Sequence, residues 1–144
     1  MTKILYVEDE ADLREALTEE LAEDGFEVLP ASNGAEGLEL LTVFRPDLVI
    51  TDWLMPRMTG IELIREMRTA LPDFALTPVI FLSAYSAKPH VDEAMAAGAC
   101  HYITKPVDYA KLLRAIAQFG ESSRGAASPR CRCHMAQPEM AGSD

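Results

Sequence analysis

Short apolar runs recur along this chain, and each ends on a polar group. Ile4-Leu5-Tyr6-Val7 stops on Glu8-Asp9-Glu10, Leu48-Val49-Ile50-Thr51 on Asp52, and Val79-Ile80-Phe81-Leu82 on Ser83. A further run, Tyr102-Ile103-Thr104, leads into Lys105-Pro106. Continuous apolar runs of this length, bounded by turn signals, are the pattern of strands buried on both faces. Between them the period becomes helical. Leu13, Ala16, Leu17 and Leu21 predict a helix over 12–24, with Gly25 as its stop. Phe26-Glu27-Val28-Leu29 reads as a second strand whose polar interruption suits a sheet edge. Ser32-Asn33-Gly34 is a turn and cap for a second helix with Ala35, Leu38 and Leu41 on one face.

Arg45-Pro46-Asp47 breaks the chain before the third strand, and residues 53–60 form a loop after it. The third helix turns Ile61, Ile64, Met67 and Leu71 inward, and Pro72 and Pro78 bracket the next loop. A fourth helix is expected over 91–97, ending at Gly98. Pro106-Val107-Asp108 starts the last helix, with Leu112, Leu113, Ile116 and Phe119 inward. Five strand–helix alternations with doubly buried strands require helices on both sides of the sheet, joined by right-handed crossovers. The expected fold is α/β: a doubly wound, five-stranded parallel sheet of flavodoxin-like order 2-1-3-4-5, with five helices. That order sets strands one and three side by side and makes Glu8, Asp9 and Asp52 neighbours. They sit at the edge where open α/β sheets bind ligands.

Apolar periodicity ends at Gly120. The expected organisation is one domain over 1–119 and a flexible, disordered tail over 120–144. No apolar stretch has the length of a membrane span, and no signal-peptide pattern precedes the first strand, so a cytoplasmic protein is expected. Net charge is −10, from 23 acidic and 13 basic residues. Three of each kind lie in the tail, so the whole excess falls on residues 1–119. Such a body repels nucleic acid, which argues against direct binding to it. Cys100, Cys131 and Cys133 make no disulfide framework. Cys100 reads as a small core residue, and Cys131-Arg132-Cys133-His134 falls short of the usual zinc-ligand spacing.

Carboxylates crowded at one edge repel each other, and a divalent cation among them removes that penalty. Oxygen-only ligands with a phosphate nearby select magnesium. Lys105 balances charge on the other side, and Ser83 can donate to an anion oxygen. Together these groups suit a phosphoryl group on Asp52: an ionised nucleophile, a Lewis-acid metal, and a lysine on the developing charge.

Glu8-Asp9, Asp52 with Met55-Pro56 and Gly60, Ser83-Ala84, Ala97-Gly98-Ala99, Tyr102 and Lys105-Pro106 occur in that order at the expected strand ends. In these features the chain resembles the response-regulator receiver domains of two-component signalling, in single-domain, chemotaxis-regulator-like form, over residues 2–119. The resemblance implies that Asp52 is the phospho-acceptor and takes its phosphoryl group from a histidine kinase or a histidine phosphotransfer protein. It implies that Asp9, Asp52 and the backbone carbonyl of Leu54 hold magnesium, with Glu8 acting directly or through a water. It assigns Ser83 and Lys105 to the phosphoryl oxygens, and Ser83 with Tyr102 to a switch. Pro106 matches a proline often joined to the lysine by a cis peptide bond. Phosphorylation would reshape the face of helix four, strand five and helix five for a downstream effector. Glu8 departs from the commoner Asp, which keeps a docking-only receiver as an alternative beside a phosphorelay intermediate.

The resemblance also implies a signalling protein that catalyses only its own phosphorylation and dephosphorylation. Leu54 and Tyr85, both bulky and neither an acid nor an amide, imply slow self-dephosphorylation. Two other classes share parts of the pattern. Haloacid-dehalogenase-type phosphatases need a second acid where Leu54 stands. Flavin carriers need a phosphate loop where Glu8-Asp9-Glu10 would repel phosphate. Trp53 reads as loop packing, and His90, His101 and His134 show no ligand spacing or phospho-carrier role.

Overall fold

Strands that are apolar along their whole length have no side to give to water, and this chain covers both faces of its sheet with helices. The computed structural model describes residues 2–53, 58–85 and 87–120. The order is β1 (Lys3–Val7), α1 (Ala11–Glu23), β2 (Glu27–Ala31), α2 (Gly34–Phe44), β3 (Leu48–Asp52) and α3 (Gly60–Thr69). β4 (Val79–Ser83), α4 (Lys88–Ala97), β5 (His101–Thr104) and α5 (Tyr109–Ala115) follow. A 3-10 turn at Pro72–Phe74 precedes β4, and α5 continues into a π-helical turn at Ile116–Gly120. All strand pairs are parallel, in the order β2-β1-β3-β4-β5. This is the predicted doubly wound, flavodoxin-like sheet with five helices.

Alternation along the strands divides the core in two. Leu5, Val7, Val49 and Phe81 pack with Leu41, Ile61, Ile64, Met67 and Ala94, under α2, α3 and α4. Ile4, Tyr6, Ile50 and Leu82 pack with Leu17, Leu21, Leu112 and Ile116, under α1 and α5. Every residue of β3 and β4 is buried, and so is Cys100. Among the described residues no helix is long and apolar enough to cross a membrane.

Helix starts follow local chemistry. Asn33 caps α2 by accepting the Glu36 N–H at 2.8 Å, Thr59 and Glu62 form a capping box on α3, and Asp108 accepts the N–H groups of Ala110 and Lys111. Gly25 has φ +98°, the left-handed conformation that lets the chain leave α1.

Beyond one-residue shifts elsewhere, such as α1 at Ala11–Glu23 rather than 12–24, three boundaries differ from the sequence expectation. β2 begins at Glu27, not Phe26, and continues through Pro30 and Ala31. It is an edge strand, where a proline's missing N–H leaves no ladder bond unmade. α4 begins at Lys88 rather than Val91, because Pro89 sits in the first turn, where its lost donor would have been unpaired anyway. α3 ends at Thr69, so Leu71 packs against the core from just outside the helix.

Candidate functional site

Four strand ends deliver the charged residues and a serine hydroxyl to one edge of the sheet. β1 leads into Glu8 and Asp9, β3 ends on Asp52, β4 on Ser83, and β5 runs into Lys105. The register aligns them, with Val7 beside Thr51, Asp52 beside Leu82 and Ser83 beside Thr104. One carboxylate oxygen from each of Glu8, Asp9 and Asp52 lies within 4.8 Å of the other two. Lys105 Nζ sits 3.1 Å from Glu8 Oε2 and 3.1 Å from Asp52 Oδ2. Glu8 is fully buried, Asp52 nearly so, and Asp9 is exposed.

Backbone and side-chain donors aim these groups. The Trp53 N–H donates to Asp52 Oδ1 at 2.7 Å, turning Oδ2 toward Lys105. The Glu8 carboxylate accepts from the Tyr6 hydroxyl at 3.4 Å and the Glu10 N–H at 3.3 Å, while Arg14 donates to the Glu8 carbonyl at 2.7 Å. The buried Ser83 hydroxyl accepts the Tyr85 N–H at 3.0 Å, and the Ser83 carbonyl accepts the Lys105 N–H at 2.8 Å. The Lys105-Pro106 peptide is cis. Tyr102 is half-buried; its hydroxyl donates to the Tyr85 carbonyl at 2.6 Å and its ring stacks on Phe81.

The electrostatics report crowded negative charge. Burial first, and Asp52 second, push the Glu8 carboxyl up to about 7, against the opposing pull of Lys105. Burial tends to lower the Lys105 ammonium, but Asp52 and Glu8 outweigh it and raise the group, so it remains a cation. Burial, then Glu8, raises the Tyr6 hydroxyl, which stays protonated as a donor. Three carboxylates with one lysine between them form an oxygen-rich, anionic set, and this fits a hard divalent cation. The part of the Glu8 shift that comes from Asp52, second to burial, is charge that a bound cation would offset.

The structure thus brings together Glu8, Asp9, Asp52, Ser83 and Lys105, with Tyr102 beside them on β5. Leu54, whose carbonyl is the remaining expected metal ligand, lies outside the described residues. So do Met55, Pro56 and the tail residues Cys131, Cys133 and His134. Tyr6 and Arg14 enter the site without having been singled out from the sequence. Tyr6 had a signal: it lies two residues before Glu8, on the same side of the chain. Arg14 had none beyond its place in α1. Trp53 is not loop packing but part of the core, edge-on to Phe81 at 5.8 Å, Tyr85 at 5.7 Å and His90 at 5.5 Å.

The family model of the response regulator receiver domain matches residues 4–117. The chain belongs to this family. As a receiver domain of a two-component response regulator, it is 38% identical over 115 residues to the transcriptional regulatory protein PdtaR of Mycobacterium tuberculosis, covering 79% of this chain and 54% of that one. The transcriptional regulatory protein CseB of Streptomyces coelicolor is 38% identical over 128 residues, covering 86% of this chain and 53% of that one. The receiver therefore spans about half the length of these curated relatives. Among solved structures, the receiver domain of the Francisella response regulator 1452 superposes with a TM-score of 0.80 at 27% identity, covering 86% of this chain and all of that one. The chemotaxis protein CheY4 of Vibrio cholerae gives 0.77 at 30% identity, covering 82% of this chain and 98% of that one.

Proposed function

We propose that this receiver domain accepts a phosphoryl group on Asp52 in a magnesium-dependent reaction and passes the signal to a protein bound at its α4-β5-α5 face. The observation that carries this reading is the Asp52 carboxylate, set between a cluster of acids and the Lys105 ammonium at 3.1 Å. The donor is a phosphohistidine of a histidine kinase or a histidine phosphotransfer protein. The Asp52 oxygen forms a bond to phosphorus as the phosphorus–nitrogen bond breaks, and the imidazole leaves with a proton from solvent.

Glu8, Asp9 and Asp52 supply side-chain oxygens for magnesium, which when bound offsets the charge of the phosphoryl oxygens. Lys105, held between Glu8 and Asp52, can turn from the two carboxylates to a phosphoryl oxygen. The Ser83 hydroxyl, on the adjacent strand, accepts the Tyr85 N–H and has its own O–H free to donate to another phosphoryl oxygen, toward which it can move. That movement loosens the segment whose Tyr85 carbonyl holds Tyr102, so Tyr102 can report the state of the site to the effector face. On this reading the protein works as a phospho-acceptor in the cytoplasm, catalysing only its own phosphorylation and dephosphorylation.

Incubation with acetyl phosphate, with and without magnesium, followed by intact mass, tests this reading. A gain of one phosphoryl group that needs magnesium and is lost in Asp52→Asn is expected. An unmodified wild-type protein would point instead to a receiver used only for docking.

A further inference from the structure

Glu8 is the fully buried acid of the cluster, and both of its oxygens are already engaged. Oε2 faces Lys105 and the Glu10 N–H, while Oε1 faces the Tyr6 hydroxyl at 3.4 Å. Tyr6 is itself fully buried on β1, and a buried hydroxyl requires a polar partner. Glu8 is the partner its hydroxyl meets, among the Leu17, Leu21, Ile50 and Leu82 side chains of that core.

We propose that Tyr6 is a positioning residue for the cation site: its hydroxyl fixes Glu8 Oε1 so that the carboxylate cannot turn both oxygens onto Lys105. The inference rests on the cation-assisted reading above. Lys105 and a divalent cation compete for the same carboxylates, because Nζ lies 3.1 Å from both Glu8 and Asp52. A glutamate has one more rotatable bond than an aspartate and more ways to fold back onto the ammonium. Held at Oε1, it keeps one oxygen for Lys105 and stays in place when Lys105 moves away. Released, it pairs more fully with Lys105 and draws the site closed against the cation. An aspartate at this position is one methylene shorter, and with the glutamate contact already at 3.4 Å the device is expected to depend on glutamate at position 8.

Magnesium dissociation constants from titration calorimetry on the wild type, Tyr6→Phe, Glu8→Asp and the double variant test the proposal, with thermal unfolding of each metal-free protein alongside. Tyr6→Phe keeps the ring and its packing. It is expected to weaken magnesium binding about fivefold, the worth of one net hydrogen bond, while the same change in the Glu8→Asp background alters it by less than about twofold. Equal effects in the two backgrounds, or lost thermal stability with unchanged affinity, would mean that Tyr6 only packs, and would overturn the proposal. A wild-type protein that binds no magnesium overturns it together with the cation-assisted reading. A protein that binds magnesium but is not labelled by acetyl phosphate removes the phospho-acceptor function alone, and the coupling of Tyr6 to Glu8 is still measured.

Discussion

Glu8 shows how one buried side chain carries opposite consequences for folding and for the site. Burial and the nearby Asp52 raise its carboxyl to about 7, well above that of the same acid in an unfolded chain. Between those two values the folded protein holds a proton that the unfolded chain has lost. The stabilising contribution of the protonated group is therefore fully present at acidic pH, declines as pH rises, and is gone once pH passes about 7. In EDTA, the urea midpoint should fall as pH is raised from mildly acidic to neutral, and Glu8→Gln should flatten that fall. Magnesium should reverse it, since a cation prefers the ionised form. An equally steep fall in Glu8→Gln would place its source elsewhere.

At the scale of elements, the site depends on how closely α3 meets the end of β3. The Gly60 N–H donates to the Trp53 carbonyl at 2.8 Å, and a Cβ on Gly60 would collide with the Asp52 carbonyl oxygen and lie 3.2 Å from the Phe81 ring. Backbone oxygen cannot yield as a flexible side chain does. Gly60→Ala must push the start of α3 away from Asp52, at a cost of about 1–3 kcal/mol in denaturant unfolding, the usual size of an overpacking penalty. Phosphorylation by acetyl phosphate should slow more in this variant than in Asn33→Ala, where a helix cap is lost away from Asp52.

The strands were legible for a simple reason: β1, β3 and β4 are buried on both faces, and each ends on the group it delivers. That also made Glu8, Asp9, Asp52, Ser83 and Lys105 legible as one constellation. Pro30 hid the end of β2, because a proline reads as a breaker unless the strand is known to lie at an edge. Pro89 hid the start of α4 in the same way. Trp53 was misread because a residue after a strand looks like loop. Its burial depends on Phe81, Tyr85 and His90, which arrive from later elements. Tyr6 was plain as a core residue, but its bond to Glu8 follows from side-chain reach that no residue pattern encodes.

For the molecule as a whole, a net charge of −10 concentrated on the folded domain means that every added cation is favourable, and general screening must be separated from a bound ion. On the proposed reading, magnesium held by Glu8, Asp9 and Asp52 would bind the native state and have no such cluster to bind in the unfolded chain. Its effect should then grow with the logarithm of its concentration, reaching about 2.7 kcal/mol at a hundredfold excess over the dissociation constant. For a domain of this size that corresponds to a rise in melting temperature on the order of 10 °C. Sodium chloride at matched ionic strength should give only a small, saturating rise, because it screens charge without filling the site. Asp9→Asn keeps nearly all of the excess charge and removes one ligand that is exposed and outside the core, so the fold should survive. In that variant the magnesium response should shrink toward the sodium chloride response. If it keeps the full logarithmic rise, the cation binds somewhere other than this edge of the sheet.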